Sequence, residues 1–372
     1  MSPVRIGVLG CGAISPAYFS AARKFPILQI EACADLNPEI ASARAREFGV
    51  PRACSVAELL ADPSIEMILN LTVPRAHAET SVAALEAGKH VYLEKPLGIS
   101  RDEGRRVLAA AEARGLRVGC APDTVLGAGV QTARKLIDDG AIGRPVAFTA
   151  FMMSRGVEHW HPSPEFYYEP GGGPMFDMGP YYLTALLNLL GPVRRVMGMA
   201  TIAIGERLIT SKPRYGKPIR VTTPDHITGT LEFENGCVGT IVTSFATRAA
   251  EYDGRNPITI FGDAGTLKVP DPNGFDGPVF LCRFDNAEGA KDRFVEQPHA
   301  FVAGYGRSVG LADMASAVRA NRAARCGGGQ AMAVLDLMQA FLDSSASGQA
   351  VTPTTMYERP MPMEPSLPFG QV

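Results

Sequence analysis

Val4-Arg-Ile-Gly-Val-Leu-Gly10-Cys-Gly12-Ala-Ile-Ser15 is the stretch that decides the fold of this chain. Its first six residues form an apolar run of strand length, and a helical pattern follows from about Ile14 to Phe25. Between the two, Gly10 and Gly12 permit a tight turn and a close approach of the backbone to a ligand. The stretch therefore predicts a strand, a glycine turn and a helix that begins at the turn.

Alternating strand and helix patterns continue this unit as far as residue 122. Alternation of this kind is typical of a doubly wound parallel sheet with helices on both faces. We therefore predict an α/β chain whose first domain, residues 1–122, has the Rossmann architecture. The later predicted strands are Gln29–Ala34, Met67–Leu71, His90–Leu93 and Arg117–Cys120, and the predicted helices are Ile40–Phe48, His77–Ala87 and Val107–Ala113.

The pattern changes after residue 122. Two strand-like runs, His226–Glu232 and Val238–Phe245, flank Glu234-Asn-Gly236, which is a strong hairpin signal. We predict an α+β domain with antiparallel strands over residues 123–350 and an extended, proline-rich strap over residues 351–372. Further predicted elements are a strand over 145–153 and helices over 131–138, 311–320 and 331–345.

Composition narrows the range of partners. The 372 residues carry a formal net charge of −2 without runs of like charge, so neither nucleic acid nor an anionic membrane is an expected partner. The seven cysteines include no CxxC pair and are expected to be buried thiols in a reducing compartment, the cytoplasm. The N-terminus enters a strand directly, so we expect neither a signal peptide nor a membrane span.

The glycine turn indicates a dinucleotide site. Gly10, Gly12, Ala13 and Ile14 can bring their backbone against a pyrophosphate at the N-terminus of the first helix. The third small position of the pattern is Ser15 instead of glycine or alanine. A glycine turn without a ligand is therefore the alternative.

Asp35 ends the second predicted strand, 20 positions after Ser15. A carboxylate at this place can accept both hydroxyls of an adenosine ribose, and it repels a 2′-phosphate. We therefore expect NAD as the cofactor, while Arg44 and Arg46 keep NADP open. The alternative is that Asp35 is only a turn residue.

Further polar residues follow the next two predicted strands. Thr72 and His77 come after one strand, and Glu94-Lys95-Pro96 closes the next. Carboxyl ends of parallel strands form the ligand crevice, so we expect Thr72, His77, Glu94 and Lys95 to lie beside the ribose and the nicotinamide. A fixed ammonium there can stabilise a developing alkoxide. The alternatives are a helix start for His77 and a solvated loop lysine for Lys95.

Gly171-Gly-Gly-Pro-Met-Phe-Asp177-Met-Gly-Pro-Tyr181-Tyr-Leu-Thr184 is a second group of polar residues. If one helix begins near Phe176, then Asp177, Tyr181 and Thr184 lie on one face of it. The three glycines permit a turn that directs the start of this helix. The alternative is a core helix whose tyrosine only packs.

Together, Gly10-Cys-Gly12, Asp35, Glu94-Lys95-Pro96 and Gly171–Gly179 resemble the Gfo/Idh/MocA family of oxidoreductases. The resemblance spans nearly the whole chain. It implies a Rossmann domain followed by a domain with an open, mostly antiparallel sheet. It also implies oxidation of a secondary hydroxyl of a sugar, inositol or derivative with NAD(P), in which the lysine of the Glu-Lys-Pro motif acts with an Asp and a His.

The chain departs from this family pattern at the reacting end. Tyr181 stands at the position of the catalytic His, and Thr184 stands at the position of the following Asp. A phenol, whose ordinary pKa is about 10, acts as a base near neutrality only if a neighbour such as a lysine lowers that pKa. We therefore expect Tyr181 to take the hydroxyl proton, Lys95 to lower the pKa of Tyr181 and steady the oxyanion, and Asp177 to orient the substrate or relay the proton.

The loop Glu158-His-Trp-His-Pro-Ser-Pro-Glu-Phe-Tyr-Tyr168 is unusually aromatic and polar. Aromatic faces stack on sugar C–H surfaces, so we interpret it as a specificity loop in which His159, Trp160 and Tyr168 contact the substrate. His159 and His161 have no third ligand at metal spacing, so no metal site is expected. The resemblance adds three substrate contacts: Asp123, Thr124 and Arg307.

These expectations combine into an NAD(P)-dependent oxidoreductase that transfers a hydride between the nicotinamide and a secondary hydroxyl of a sugar, polyol or glycoside. The alternatives are a hydrolase or lyase that uses NAD for transient oxidation, and a non-catalytic dinucleotide sensor on the same fold. The resemblance implies a homodimer or homotetramer.

Overall fold

The computed structural model describes residues 1–249, 254–284, 292–365 and 367–372. The chain divides into two compact units. The first comprises residues 1–128, 301–335 and 360–372, and the second comprises residues 129–300 and 336–359. None of the described helices combines the length and the apolar composition that a bilayer crossing requires.

A six-stranded parallel sheet forms the centre of the first unit. Its strands are β1 (Val4–Leu9), β2 (Leu28–Ala34), β3 (Arg52–Cys54), β4 (Met67–Asn70), β5 (His90–Leu93) and β6 (Val118–Cys120). Their order in the sheet is β3-β2-β1-β4-β5-β6, and every neighbouring pair is parallel. This is the two-halved order of a dinucleotide-binding sheet, so the predicted Rossmann architecture is confirmed.

Five helices connect these strands: α1 (Ser15–Ala22), α2 (Pro38–Phe48), α3 (Val56–Ala61), α4 (His77–Glu86) and α5 (Arg101–Glu112). Ser100 caps α5 by accepting the N–H of Glu103, as the spacing of the two residues predicts. The Glu103 carboxylate in turn accepts the N–H of Ile99 at 2.8 Å. Ser55 and Glu58 form a complete capping box at α3, a helix too short for its periodicity to be read from the sequence.

An eight-stranded mixed sheet forms the centre of the second unit. The strands of this unit are β7 (Pro145–Met153), β8 (Val193–Thr201), β9 (Glu206–Leu208), β10 (Pro218–Arg220), β11 (His226–Phe233), β12 (Val238–Ser244), β13 (Ile258–Gly262), β14 (Gly265–Val269), β15 (Val279–Arg283) and β16 (Val295–Gln297). The large sheet has the order β16-β15-β14-β13-β7-β12-β11-β8, and β9 pairs with β10 separately. Because β7 and β12 are parallel and the other described pairs are antiparallel, the predicted mostly antiparallel sheet is confirmed.

Three helices complete the sequence of elements up to β8: α6 (Ala128–Asp138), α7 (Gly173–Asp177) and α8 (Gly179–Leu190). Every residue of α8 is buried. The Tyr182 hydroxyl donates to the carbonyl of Phe151 in β7 at 3.2 Å, which ties α8 to the middle of the sheet. The hairpin between β11 and β12 turns at Gly236, whose φ of +85° suits glycine.

Two segments of the C-terminal part of the chain return to the first unit, and residues 336–359 belong to the second. Its helices are α9 (Val309–Ala320) and α10 (Gly328–Ser347). Residues 301–335 and 360–372 belong to the first unit, although the sequence pattern assigns them to the second domain and the strap. The N–H of Cys120 at the end of β6 donates to the carbonyl of Cys326 at 2.9 Å. A pairing between residues so far apart in the chain leaves no local signal in the sequence.

Candidate active site

The glycine turn after β1 leaves space at the N-terminus of α1. Gly10 has φ +98°, and a Cβ there would lie 2.7 Å from the backbone that follows β4, so glycine is required. A Cβ on Gly12 would meet nothing within 4 Å. Ala13 and Ile14 complete the turn, and the Ser15 hydroxyl donates to the Gly12 carbonyl at 2.8 Å. Because the first turn of α1 has no acidic side chain, the turn fits a pyrophosphate.

Asp35 lies beside this turn at the C-terminal end of β2. One carboxylate oxygen accepts the N–H of Cys11 at 2.8 Å, and the other accepts the N–H of Asn37 at 2.9 Å. The carboxylate is therefore fixed, and each oxygen keeps a lone pair that can accept a ribose hydroxyl. Arg44 donates to the carbonyl of Cys11 at 3.3 Å and pairs with Glu47. These residues fit an adenosine ribose with unmodified hydroxyls.

His77 is fully buried between two strand ends. Its Nδ1 lies 2.7 Å from the carbonyl oxygen of Pro96, after β5, and its Nε2 lies 3.0 Å from that of Thr72, after β4. Burial lowers the pKa of His77, although the two carbonyls oppose this shift. A neutral imidazole has one N–H, so His77 donates to one of these two carbonyls at a time. Since its ring has no exposed surface, the expectation that His77 contacts the cofactor is corrected: His77 packs between the two loops.

Thr72 belongs to a hydrogen-bonded group around Asn70, the last residue of β4. The Thr72 hydroxyl and N–H both donate to Oδ1 of Asn70, at 2.7 and 3.1 Å. The Asn70 amide nitrogen donates to the hydroxyls of Thr80 and Ser81 at 2.7 and 3.0 Å. Asn70 therefore sets the conformation of the loop that carries Thr72.

Glu94 and Lys95 leave β5 at the sheet edge where Asp35 leaves β2. The hydroxyl of Tyr18 in α1 donates to Glu94 Oε1 at 2.7 Å, and the backbone N–H of Lys95 donates to Glu94 Oε2 at 2.9 Å. Burial, followed by the Glu94 charge, raises the pKa of Tyr18 well above its usual value, so the phenol stays protonated and donates. Tyr18, which belongs to none of the sequence motifs, thus links α1 to the loop that carries Lys95, which we call the lysine loop.

Asp123 follows β6 and has no exposed surface. Its Oδ2 accepts the N–H of Gly310 at 3.1 Å, while Oδ1 lies 3.7 Å from Nη1 of Arg307 and has no hydrogen bond among the described residues. Burial raises the pKa of Asp123 to about 6, although Arg307 opposes the shift. The expected direct contact with substrate is corrected for Asp123, because its carboxylate is enclosed. Thr124 is enclosed as well.

Asp177 and Tyr181 lie on either side of a helix break. α7 ends at Asp177 and α8 begins two residues later, because Pro180 lacks an N–H and its ring clashes with the preceding turn. The predicted single helix is therefore two helices. Asp177 is half-buried and Tyr181 is buried. Both belong to the second unit and Lys95 to the first, so their joint action on one substrate stays a prediction.

Tyr168 holds together the two ends of the loop formed by residues 158–168, which we call the aromatic loop. Its hydroxyl donates to Glu158 and accepts the N–H of Val157 at 3.1 Å. The Arg207 guanidinium lies 4.8 Å from the centre of the Tyr168 ring and donates to Glu158 at 2.9 Å. The expectation that Tyr168 contacts the substrate is corrected, because the side chain is fully buried and holds the loop instead.

Trp160 and His161 extend the same loop towards solvent and towards Asp177. Trp160 is 59% exposed, and its ring centre lies 5.3 Å from that of His161. His161 Nδ1 accepts the N–H of Ser163 at 3.1 Å, so the neutral ring carries its proton on Nε2. Burial lowers the pKa of His161, and the Asp177 charge opposes this shift. In the sequence, His161 is considered only as a possible metal ligand. In the structure, it is the histidine of this loop on whose pKa the Asp177 charge acts.

Family models match two successive parts of the chain. Residues 4–121 match the model described as an oxidoreductase family with an NAD-binding Rossmann fold. Residues 130–268 match the model described as a GFO/IDH/MocA C-terminal domain. The levoglucosan dehydrogenase of Pseudarthrobacter phenanthrenivorans is 28% identical over 293 residues, which are 72% of this chain and 72% of that enzyme.

Solved structures share the fold of this chain. An NAD-binding oxidoreductase from Klebsiella pneumoniae has a TM-score of 0.83 at 22% identity and covers 95% of this chain and 100% of its own. Levoglucosan dehydrogenase in complex with NADH and L-sorbose has a TM-score of 0.81 at 22% identity and covers 95% of this chain and 99% of its own. At this identity the likeness shows the fold.

Proposed function

The chain belongs to the Gfo/Idh/MocA family of NAD(P)-dependent oxidoreductases, and we propose that it transfers a hydride between NAD and a secondary hydroxyl of a sugar, polyol or glycoside. One observation carries the proposal. Asp35 and the Glu94-Lys95 pair leave β2 and β5 at the same edge of one parallel sheet, where such sheets bind a dinucleotide.

NAD is proposed over NADP because of how Asp35 is held. Two backbone N–H groups fix its carboxylate beside the glycine turn, and a fixed carboxylate repels a 2′-phosphate. Arg44, the nearest candidate for a phosphate partner, instead bonds the Cys11 carbonyl and Glu47. When bound, the nicotinamide takes up or returns the hydride.

Lys95, Tyr181 and Asp177 are the proposed catalytic residues. The Lys95 ammonium stabilises the developing alkoxide, and Tyr181, in its phenolate form, takes the hydroxyl proton and becomes a neutral phenol. Asp177 orients the substrate or relays the proton. The electrostatic effect of Asp177 on His161 supports a polar environment at this end of the second unit.

Carbohydrates are the proposed substrate class. One relative is named levoglucosan dehydrogenase, and a solved structure of that enzyme contains L-sorbose. In this chain, Trp160 offers an exposed aromatic face on which a sugar ring can stack, and His159 lies beside it. Both residues are therefore proposed as substrate contacts.

Absorbance at 340 nm tests the proposal. The purified protein is incubated with NAD or NADP and a panel of sugars, inositols, glycosides and sugar acids, and we expect NADH formation with NAD. Lys95→Met and Tyr181→Phe should each lower kcat by about 10²-fold or more, since positioned acid–base groups contribute about 10²–10⁴-fold. Calorimetry should find NAD binding by Tyr181→Phe unchanged.

Tyr215→Phe serves as the matched control, because this tyrosine is 69% exposed and lies outside the proposed site. A Tyr181→Phe variant with the turnover of this control would remove Tyr181 from the proton transfer. Nucleotide binding without turnover on any substrate of the panel would favour the dinucleotide sensor.

A homodimer or homotetramer is proposed from the face of the large sheet. Met197 and Met199 in β8, Val238 in β12 and Phe261 in β13 are exposed on its strands. A second copy of the chain would bury this apolar surface. Light scattering checks this, and a monomeric mass would contradict it. The cytoplasmic location likewise stays a prediction.

A further inference from the structure

A cavity of about 510 Å³ opens in the second unit between the aromatic loop and β9. We call it the arginine cavity. Sites for small molecules occupy about 300–1,000 Å³, so its size suits a small carbohydrate. Its charged and polar wall includes Arg155, Glu158, His159, Glu206, Arg207 and Arg248.

Arg207 and Glu158 form the fixed part of the wall. Arg207 donates to Glu158 at 2.9 Å, to Asp225 at 2.7 Å and to the carbonyl of Phe245 at 2.8 Å. The side chain of Arg207 is almost fully buried. Within the wall, Glu158 and Arg207 compensate each other, while Asp225, the second carboxylate on Arg207, is fully buried and is not part of the cavity wall. The remaining wall residues therefore decide which ligand charge is attracted.

The remaining charges favour an anion. In the part of the chain that the structure describes, neither Arg155 nor Arg248 forms an ion pair, and Glu206 is the wall carboxylate without one. Two guanidinium groups therefore face one carboxylate. His159 adds an enclosed Nδ1 that has no hydrogen bond with the described residues, and such an atom calls for a ligand or water partner.

The cavity is connected to the proposed reaction site through one short segment. His159 lies in the cavity wall, and the Asp177 charge acts on the pKa of His161, two residues further along the chain. Two residues of extended chain span at most about 7 Å. A substrate whose reacting carbon lies near Asp177 can therefore place its other end towards the cavity.

We propose that the arginine cavity binds an oxyanion, a carboxylate or a phosphate, that the substrate carries away from its reacting carbon. Guanidinium groups bind both oxyanions through paired N–H donors. This inference rests on the proposed function and narrows its substrate class to acidic carbohydrates, namely sugar acids or sugar phosphates.

The single tryptophan of the chain, Trp160, reports binding without any turnover. The full chain, without nucleotide, is titrated with hexuronates, aldonates, hexose phosphates and neutral hexoses while its fluorescence is recorded. Acidic ligands should bind at least tenfold more tightly than the neutral hexoses. The comparison between the carboxylate and phosphate arms identifies which oxyanion the site takes.

Three substitutions in the cavity carry opposite expectations. Arg155→Gln and Arg248→Gln should each weaken the binding of the acidic ligand about tenfold, whereas Glu206→Gln should tighten it. Arg144→Gln is the matched control, because Arg144 precedes β7 and Arg155 follows it, so the two lie about 30 Å apart along the strand. The control should bind like the unchanged protein.

Two results overturn the inference: neutral hexoses bind as tightly as the acidic ligands, or the two arginine variants titrate like Arg144→Gln. A third result, inorganic phosphate binding as tightly as every sugar phosphate, overturns the carbohydrate part of it. NADH formation from a neutral sugar with unchanged kcat/KM in both arginine variants would overturn the inference and leave the proposed function standing. Tight binding of an acidic sugar without NADH formation would support the cavity and count against the proposed function.

Discussion

The two units bury charge in different ways. In the second unit, the Arg207 guanidinium donates to four oxygens, those of Arg155, Glu158, Asp225 and Phe245. In the first unit, the Asp123 carboxylate accepts the N–H of Gly310 at 3.1 Å, and its Oδ1 lies 3.7 Å from Nη1 of Arg307.

Because of this difference, Arg207 serves as a structural scaffold, whereas Asp123 has a displaced pKa. The partners of Arg207 hold the base of the aromatic loop in one conformation. The sparse partners of Asp123 allow burial to raise its pKa to about 6. Displaced pKa values gather at functional sites, so at the carboxyl edge of the parallel sheet, where Asp123 follows β6, we expect protonation to influence the reaction.

Arg207→Met would remove the cation of the cluster that Arg207 forms with Glu158 and Asp225 in the second unit. We expect this change to lower the free energy of unfolding more than any other change proposed here. It leaves Glu158 and Asp225 enclosed without their cation, and removing one partner of a buried ion pair costs about 3–5 kcal/mol. Arg207→Lys keeps the positive charge but loses the planar set of guanidinium donors. Its free energy of unfolding should therefore fall by less than that of Arg207→Met. Urea denaturation measures both.

The control for this prediction is Arg195→Met. Arg195 pairs with Glu232 at the surface, where an ion pair contributes about 0–1 kcal/mol. If Arg207→Met and Arg195→Met lost equal stability, the buried cluster would not be the scaffold of the loop.

Asp123→Asn tests the first unit, with a smaller effect that depends on pH. The carboxyl pKa is about 6 in the folded chain against an ordinary 3.8, a difference that corresponds to about 3 kcal/mol. The folded state binds the proton more tightly, so this carboxyl stabilises the fold below pH 4 and loses that contribution as pH rises to 6. The unfolding free energy of the unchanged protein minus that of Asp123→Asn should therefore fall by up to about 3 kcal/mol between pH 4 and pH 7.

Subtraction of the variant is needed because His77 acts in the opposite direction. Burial lowers the pKa of His77, so its contribution to stability is present above pH 6.5 and is lost as pH falls through its folded pKa. His77 is common to both proteins, and the difference removes it. A difference that stays flat from pH 4 to pH 7 would show that Asp123 keeps its ordinary pKa.

Local patterns predicted the fold well. β1 and β5 have the predicted bounds, and the spacing of Ser100 and Glu103 is the local signal for the cap of α5. These features depend on neighbours in the chain, namely hydrophobic periodicity and capping chemistry. The return of residues 301–335 to the first unit could not be predicted, because its hydrogen bonds join residues about 200 positions apart.

The candidate site divides in the same way. The glycine turn, Asp35 and Glu94-Lys95 lie at the predicted sheet edge because parallel strands place their carboxyl ends together. The true settings of His77 and Tyr168 could not be predicted, because their partners come from other loops. The role of Arg207 could not be predicted either, because its burial between two exposed residues of β9 is set by the fold and not by its neighbours in the sequence.

We expect the smallest effects from removing either of two similar tyrosine–glutamate hydrogen bonds, one in each unit. Tyr18 donates to Glu94, whose other oxygen accepts the Lys95 N–H, and Tyr168 donates to Glu158, whose other oxygen accepts Arg207. Each Tyr→Phe change removes the hydroxyl of a buried residue, and the loss of such a bond costs about 1–3 kcal/mol.

The two variants should nevertheless change different kinetic constants. Tyr18→Phe loosens Glu94 and hence the lysine loop, so kcat should fall about tenfold while the KM for substrate stays within twofold. Tyr168→Phe loosens the loop that carries His159 and Trp160, so the KM for substrate should rise and kcat should stay near that of the unchanged protein. Steady-state kinetics at saturating NAD measures both constants. A fall in kcat of equal size in both variants would mean that each bond only supports the fold, since a loss of folded protein lowers kcat alike wherever it begins.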